Sequence, residues 1–332
     1  MPEDGGAPAE PEAAAAAPAV AAAPARPPEP TRLGGPDKAT WAHRDLYDRV
    51  FDALHALPSR FRTSLRIAGI SATDLFTLNT PLGAAIEQSV VESLNDLREL
   101  WDPNQEYQLY SFVRQAQVFP DVRLQTTAPG VANADRVLMG IELKGWFVLA
   151  KEGEPSFRYK AAPMACAPQD LLVVYPWTLD EVLSGTPKLL RPFVEEARYA
   201  AEQRNYYWEN MRTTKGPQAG VKPAPHQAPY PNKGDKFNDE PVSDQGKNFG
   251  RVARSRIMDD FITALMLQPL SGIPARYWQA FLKIFAEGNQ GDNIERALAT
   301  LRAQAEGSGD AGLKLDALDK IAEGLLDLTE RL

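Results

Sequence analysis

Two carboxylates and one ammonium group, at a defined spacing, are the residues of this chain best suited to chemistry. Pro120-Asp121 is followed, after twenty residues, by Glu142-Leu143-Lys144. Carboxylate oxygens are ligands that Mg²⁺ prefers, and a bound ion can activate a water molecule and neutralise charge that develops on a phosphate. A nearby lysine can stabilise the same charge. The spacing therefore indicates metal-dependent hydrolysis of phosphodiester bonds.

The segment around Glu142 and Lys144 has the composition of a buried β-strand. Residues 137–150 are apolar apart from these two and are rich in branched and aromatic side chains. Residues i and i+2 of a strand point to the same face, so Glu142 and Lys144 lie side by side. Charges in such a strand are costly unless they are paired or bind a metal. The alternative is a Glu–Lys pair satisfied locally on an edge strand.

Two more strands are predicted upstream, over residues 110–118 and 119–124, and a turn-rich connection follows them. Three successive strands form a meander, which brings Asp121 near Glu142. Two carboxylates that converge in this way suit a hard cation such as Mg²⁺. Asp135 is the rival ligand, but its position favours a role in closing the turn.

The arrangement resembles the PD-(D/E)xK nuclease superfamily, to which most type II restriction endonucleases belong. Pro120 and Asp121 match its Pro-Asp element, and Glu142 and Lys144 match its Glu-x-Lys element. The resemblance implies an α/β fold with a restriction-endonuclease-like mixed β-sheet core flanked by helices, and a further strand that residues 170–177 fit. It also implies DNA cleavage with Mg²⁺, or alternatively Mn²⁺, held by the two acids, while the lysine assists the attacking water.

The superfamily often carries an additional glutamate on a helix before the first core strand. Here residues 82–94 predict a helix, with Ile86, Val90 and Leu94 at an i, i+4, i+8 spacing. Glu87 lies next to this stripe and is the candidate accessory catalytic acid. A solvated helix glutamate is the alternative interpretation.

The distribution of charge favours a focused contact with phosphates. The formal net charge is −8, yet residues 204–256 hold ten basic and five acidic residues, a net charge of +5. Local fields matter more than the sum for phosphate binding. The predicted nucleic-acid contacts lie near the start of a helix, where glycines allow close approach: Lys247, Arg251, Arg254 and Arg256. The alternative is a solvated basic turn.

The chain divides by composition into four regions. Residues 1–38 are rich in Ala, Pro and Glu and predict a disordered N-terminal arm. Residues 39–212 contain the predicted catalytic core, and residues 213–250 form a Gly/Pro-rich basic loop. Residues 251–332 predict a helical C-terminal region.

Helices are predicted from apolar periodicity over residues 40–65, 180–211 and 257–267. The second is expected to begin at a capping box over residues 178–181. Tyr206-Tyr207-Trp208, near its end, can stack on bases, although helical spacing favours packing in the core. A leucine-rich stripe over residues 318–332 docks on the core in the first interpretation and forms a dimer in the second.

Composition excludes several classes of protein. One cysteine, Cys166, excludes an internal disulfide framework and favours a reducing, cytoplasmic location. Three histidines and one cysteine cannot form a conventional zinc cluster. No Gly-rich phosphate loop, nucleophile elbow or Rossmann fingerprint is present. No apolar span of eighteen residues occurs, so no membrane association is expected.

The leading hypothesis is a Mg²⁺-dependent endodeoxyribonuclease that acts on DNA. A restriction role in host defence and a cognate methyltransferase follow from the resemblance alone, and a homodimer suits the cutting of both strands. The first alternative is a non-catalytic nucleic-acid-binding or assembly protein that keeps the nuclease fold. The second is an interaction protein in which the motif is accidental.

Overall fold

The computed structural model describes residues 26–67, 79–212, 219–244, 248–286 and 291–307. Within them the chain has a mixed α/β fold built around one six-stranded sheet. The strands of this sheet are β1 Ser111–Arg114, β2 Val122–Gln125, β3 Val137–Phe147, β4 Leu171–Leu179, β5 Pro187–Leu189 and β6 Phe193–Glu196.

The order of strands in the sheet confirms the predicted meander. β1, β2 and β3 are consecutive antiparallel neighbours, and β4 lies parallel to β3. β5 and β6 both pair antiparallel with β4, one at each of its two ends. The four strands predicted from the sequence over residues 110–177 are therefore present.

Seven helices accompany the sheet in the described part of the chain. They are α1 Arg44–Arg60, α2 Asn79–Asp96, α3 Arg98–Trp101, α4 Ala197–Tyr206, α5 Asp259–Met266, α6 Ala275–Ala286 and α7 Gly291–Gly307. The predicted helices over residues 40–65, 82–94 and 257–267 correspond to α1, α2 and α5. Among the described residues, no helix combines the length and apolar character that crossing a membrane requires.

The two faces of the sheet are covered by separate apolar clusters. All nine residues of β4 are buried, which is why its sequence is a continuous apolar run. Leu171 and Val173 pack into the cluster that contains α1 and α2. Leu172 and Val174 pack into the cluster that contains α4 and α5. Because side chains alternate along a strand, one buried strand supplies both clusters.

The prediction of a single helix over residues 180–211 was wrong. The first part of this segment forms β5 and β6, and helix α4 begins only at Ala197. The capping box is also absent, because Thr178 lies within β4 and Asp180 closes a turn by accepting hydrogen bonds from Thr186. The physical reason is that β4 continues to Leu179 and recruits the next segment as antiparallel partners.

Part of the N-terminal arm contacts the core. The side chain of Arg32 and the backbone N–H groups of Leu33 and Gly35 donate hydrogen bonds of 2.8–2.9 Å to Glu195 and Glu196. The prediction of a disordered arm over residues 1–38 therefore does not hold for residues 26–38. Residues 1–25, and the leucine-rich stripe over residues 318–332, lie outside the described residues.

The loop predicted over residues 213–250 has little regular structure in its described part. The described residues 219–244 contain only a two-residue strand pair, β7 Val221–Lys222 with β8 Glu240–Pro241. A second short pair, β9 Pro269–Leu270 with β10 Ile273–Pro274, precedes α6.

Candidate active site

The candidate active site lies where β2 separates from the edge of β3. The paired register ends at Val122 opposite Ile141, so Asp121 and Glu142 follow as the next opposed residues. The Asp121 backbone N–H donates to Glu142 Oε2 at 3.3 Å. The Leu143 N–H, which has lost its strand partner, donates to Asp121 Oδ2 at 3.1 Å. Backbone groups at this open edge thus hold both carboxylates on one face of the sheet.

Lys144 lies between the two carboxylates. Its Nζ is 2.9 Å from Asp121 Oδ2 and 2.6 Å from Glu142 Oε1. The side chains of Asp121, Glu142 and Lys144 are 34%, 12% and 17% exposed, so the cluster is largely shielded from water but still reachable. The structure therefore brings together the three residues selected from the sequence. The ion pair also satisfies their charges locally, as the edge-strand interpretation requires.

Burial and mutual attraction alter the acidities of this cluster. Burial raises the pKa of the Glu142 carboxyl to about 7, against the opposing influence of the Lys144 ammonium. Burial disfavours charge on Lys144, but the attraction of Glu142 and Asp121 outweighs it and raises the pKa of the lysine above its usual range. Lys144 is therefore an ammonium at neutral pH and a hydrogen-bond donor.

Glu87 of helix α2 reaches the same edge of β3. Its carboxylate accepts a hydrogen bond from the Gly145 backbone N–H. Burial, followed by the negative charge of Asp121, raises the pKa of Glu87. The helix packs beside this strand, since a Cβ on Gly145 would be in ordinary van der Waals contact, 3.6 Å, with Cα of Gly83. Glu87 is half-buried and joins the cluster, in contrast to a fully solvated helix glutamate.

A cavity of about 270 Å³ opens beside the carboxylates. We call it the carboxylate cavity; its lining includes Phe119, Asp121, Glu142, Arg158, Lys160, Phe237 and Asn238. The lining of the carboxylate cavity thus combines the acidic pair with two cations, Arg158 and Lys160, which we call its basic wall. Neither cation was predicted as a site residue from the sequence, although the alternation of charged and aromatic residues over residues 157–160 is typical of a strand and was a usable signal.

The segment that carries this basic wall is held by two distant parts of the chain. Arg158 forms an antiparallel bridge with Arg251. On the other side, the Asp239 backbone N–H donates to the carbonyl of Lys160 at 2.9 Å. The loop regions on both sides of β8 therefore complete the carboxylate cavity, which explains why the long irregular segment belongs to the site.

The predicted nucleic-acid contacts gather at a second cavity, of about 330 Å³. Arg251, Arg254 and Arg256 all line it, whereas Lys247 lies outside the described residues. Arg254 is paired with Glu154 at 2.9 Å. These arginines lie in and beside a short 3₁₀ turn, Val252–Ser255, which precedes helix α5.

The aromatic cluster near the end of α4 is divided between two environments. Trp208 is 3% exposed and packs edge-on against Phe249, with ring centroids 5.1 Å apart. Its ring is therefore part of the core. Tyr206 and Tyr207 are half-buried.

The donor set fits a hard divalent cation. Within the described residues, no group of three or more His, Cys, Asp or Glu side chains is placed to hold a metal. Mg²⁺ is commonly bound by one or two carboxylates and completes its octahedron with water and substrate oxygens. Asp121 and Glu142 meet that requirement. The rival Asp135 lies exposed in a 3₁₀ turn outside the carboxylate cavity.

The fold and the site together define a mixed α/β protein with a carboxylate–lysine cluster at an open strand edge and a basic cavity wall. A scan against protein-family models, a search of curated proteins and a search of solved structures found no match to this chain. The function of this chain is therefore inferred from the geometry of its own residues.

Proposed function

We propose that this chain is a Mg²⁺-dependent endodeoxyribonuclease of the PD-(D/E)xK type, which hydrolyses phosphodiester bonds of DNA in the carboxylate cavity. One observation carries the proposal. On a strand edge the Lys144 ammonium lies within hydrogen-bond distance of both Asp121 and Glu142, and the two acids line a cavity whose lining also holds Arg158 and Lys160. Metal-dependent hydrolysis of a phosphodiester needs acids that hold the metal ion and an ammonium group near the reacting phosphate. It also needs positively charged side chains that bind the neighbouring phosphates.

Each residue has a separate role in the proposal. Asp121 and Glu142 hold the ion, which when bound lowers the pKa of water and offsets phosphate charge. Lys144 donates a hydrogen bond toward the reacting phosphate and, because its pKa is raised, does not accept a proton. Glu87 is the accessory acid, next to Asp121 and held by the Gly145 N–H.

The topology of the sheet supports the family assignment. An antiparallel meander, β1 to β3, followed by a parallel fourth strand, β4, is the mixed four-stranded sheet that the resemblance implies. α2, which precedes the first core strand, carries the additional glutamate. A role in host defence, a cognate methyltransferase and a homodimer belong to this proposal through the resemblance alone.

The test is cleavage of supercoiled plasmid by the purified chain with Mg²⁺, Mn²⁺ or EDTA. We expect metal-dependent nicking or linearisation, lost by about 10²- to 10³-fold in Glu142→Gln because a ligand and its charge are removed. Glu152→Gln, which changes an exposed glutamate outside the cluster, is the matched control. Discrete fragments would indicate sequence specificity.

The second candidate function is a non-catalytic nucleic-acid-binding or assembly protein. The observation that favours it is the Lys144 ammonium, which gives both carboxylates a partner without any metal ion. In this case the wild type and Glu142→Gln bind DNA equally and neither cleaves it. Absence of both cleavage and binding would indicate that the motif is accidental.

A further inference from the structure

The second cavity is bounded by the end of α4 and by the 3₁₀ turn Val252–Ser255. We call it the arginine pocket; the lining residues used below are Trp208, Arg212, Arg251, Arg254 and Arg256. No Asp or Glu occurs among the described residues that line it. A concave site with several guanidinium groups and no acid has a strongly positive potential.

Three hydrogen-bond donors of the arginine pocket are buried without a partner. They are Nε of Arg212, Nε of Arg251 and Nε1 of Trp208. Ten buried side-chain nitrogen or oxygen atoms of the described residues lack a partner, and three of them belong to residues that line this one cavity. Burying a donor without an acceptor is unfavourable, so the residues around this cavity include donors that none of the described residues satisfies.

The arginines of the pocket differ in how far their charges are satisfied. Arg204, which also lines the pocket, pairs with Asp239 at 2.7 Å, and Arg254 pairs with Glu154 at 2.9 Å. Arg212 lies over the ring of Trp208, 3.4 Å from its centroid, and forms no ion pair with a described residue. Arg251 and Arg256 form no ion pair with any of the described residues. The guanidinium groups without an ion pair carry positive charge and only donate hydrogen bonds, so they favour a ligand that is negatively charged and accepts hydrogen bonds.

A phosphate group is the anion that matches these donors. It presents several acceptor oxygens to guanidinium forks and forms charge-assisted, often bidentate, hydrogen bonds with them. A single carboxylate has fewer oxygens to distribute over three separate donors. The cavity volume of about 330 Å³ also leaves room for the rest of a larger molecule that bears the phosphate.

The arginine pocket adjoins the carboxylate cavity. Arg158 lines the carboxylate cavity and Arg251 lines the arginine pocket, and the two form an antiparallel bridge. Side chains directly opposite each other in such a bridge lie on one face, with Cβ atoms about 5 Å apart. A chain with regularly spaced phosphates can therefore occupy both cavities at once.

We propose that the arginine pocket is a phosphate-binding site that holds a second phosphate of the polynucleotide bound in the carboxylate cavity. The phosphate chemistry follows from the unpartnered donors and the arginines. The polynucleotide as source of the phosphate rests on the proposed function. The phosphate is either an internal phosphate of the strand or the one at its end, and the test separates the two.

The experiment measures binding by the full-length protein in EDTA, so that no substrate is cleaved. Inorganic phosphate and pyrophosphate are titrated by calorimetry, and labelled single-stranded oligonucleotides with phosphate or hydroxyl ends by fluorescence anisotropy. The variants are Arg251→Met, Arg212→Met and Arg256→Met. Arg191→Met, which removes an exposed arginine outside the pocket, is the control for net charge.

We expect Arg251→Met and Arg212→Met to weaken phosphate and oligonucleotide binding by about tenfold or more, because each removes a charged donor. Arg191→Met should bind like the wild type. Arg212 and Arg251 are half-buried, so replacing either one could unfold the protein, which the loss of a melting transition would reveal. Arg256 is exposed, so Arg256→Met still tests the pocket in that case. Unchanged binding in the folded pocket variants, or no phosphate binding by the wild type, overturns the proposal.

Competition identifies the source of the phosphate. If oligonucleotides with hydroxyl ends displace phosphate from the pocket, the group bound is internal to the strand. If only those with a phosphorylated end do so, the pocket binds a strand end. If phosphate binds and no oligonucleotide competes, the polynucleotide source is overturned.

Plasmid cleavage, run in parallel, keeps the two proposals distinguishable. Loss of phosphate binding in Arg251→Met by a protein that never cleaves DNA supports the pocket and refutes the nuclease. Cleavage that depends on Glu142, with binding unaffected by Arg251→Met, supports the nuclease and refutes the pocket.

Discussion

Beside the carboxylate cavity, the Lys144 ammonium lies between Asp121 and Glu142 and offsets part of their negative charge. The neighbouring arginine pocket is lined by several arginines and, among the described residues, by no acid, and three buried donors of its lining residues have no acceptor there. The first arrangement is stable without a ligand, and a cation must compete with an ammonium to enter. The second arrangement is stabilised only when an anion binds. The comparison shows that two adjacent sites can differ in whether their own side chains or a ligand compensate the buried charges.

The largest effect is expected from removing the ammonium of Lys144. Cleavage by Lys144→Met should fall by about 10²- to 10³-fold, because a charge that stabilises the reacting phosphate is lost. Binding of Mn²⁺ to the same variant should become tighter, because nothing competes for Asp121 and Glu142. A plasmid assay and calorimetry with Mn²⁺ measure the two effects. Weaker Mn²⁺ binding would mean that Lys144 organises the carboxylates and does not compete for them.

Metal binding should depend on pH through Glu142. Burial raises the pKa of this carboxyl to about 7, so below that pH the proton must leave before a cation can bind. We expect the affinity for Mn²⁺ to rise about tenfold from pH 6 to pH 8. Calorimetry at both values measures the change, and Glu142→Gln should show a flat profile. An equally steep profile in that variant would assign the titration to another group.

Asp170, at the start of β4, is a buried carboxylate whose hydrogen bonds all come from the protein itself. It accepts hydrogen bonds from the backbone N–H groups of Gly140 and Ala167, both at 2.7 Å, and from the Tyr230 hydroxyl at 3.0 Å. Burial nevertheless raises its pKa to about 6. Its contribution to stability is therefore complete below the ordinary carboxyl pKa and is lost as the pH rises through about 6.

Asp170→Asn should consequently cost more free energy of unfolding at pH 4 than at pH 7, by roughly 2–3 kcal/mol. Urea denaturation of both proteins at each pH measures the difference. Glu152→Gln, at an exposed site, should show no such dependence. If the loss of stability in Asp170→Asn grew with pH, the three hydrogen-bond donors would stabilise the charged carboxylate more than burial destabilises it.

The smallest effect is expected at Arg254, whose acidic partner, Glu154, lies outside the pocket. Glu154→Gln releases Arg254 from a half-exposed ion pair, which is worth at most about 1 kcal/mol. Phosphate binding should therefore tighten by about fivefold at most. Calorimetry with pyrophosphate is the measurement. Weaker binding would show that the pair positions Arg254 for the ligand.

The meander and the convergence of Asp121 with Glu142 were predictable because their signals are local. An apolar run over residues 137–150, a proline at position 120 and a turn-rich connection define three successive strands, and successive strands usually become neighbours. The i, i+2 rule then places Lys144 beside Glu142. Each step needs only residues close together in the sequence.

The arginine pocket and the basic wall were not predictable in the same way. The bridge between Arg158 and Arg251 joins segments that are distant in the sequence, and nothing in either segment specifies the other. The helix predicted over residues 180–196 was wrong for a related reason. Its apolar spacing is compatible with a helix, but pairing with β4 decides its structure.

The open edge of β3 has a consequence for solubility. Unpaired strand edges can add a strand from another molecule, which is a common route to aggregation. Here the exposed N–H groups of Leu143 and Gly145 are occupied by the carboxylates of Asp121 and Glu87. The same acids that are proposed to serve catalysis thus occupy the hydrogen-bond donors to which a strand of another molecule would bind. Neutral replacements at these two positions are expected to yield protein that self-associates more readily.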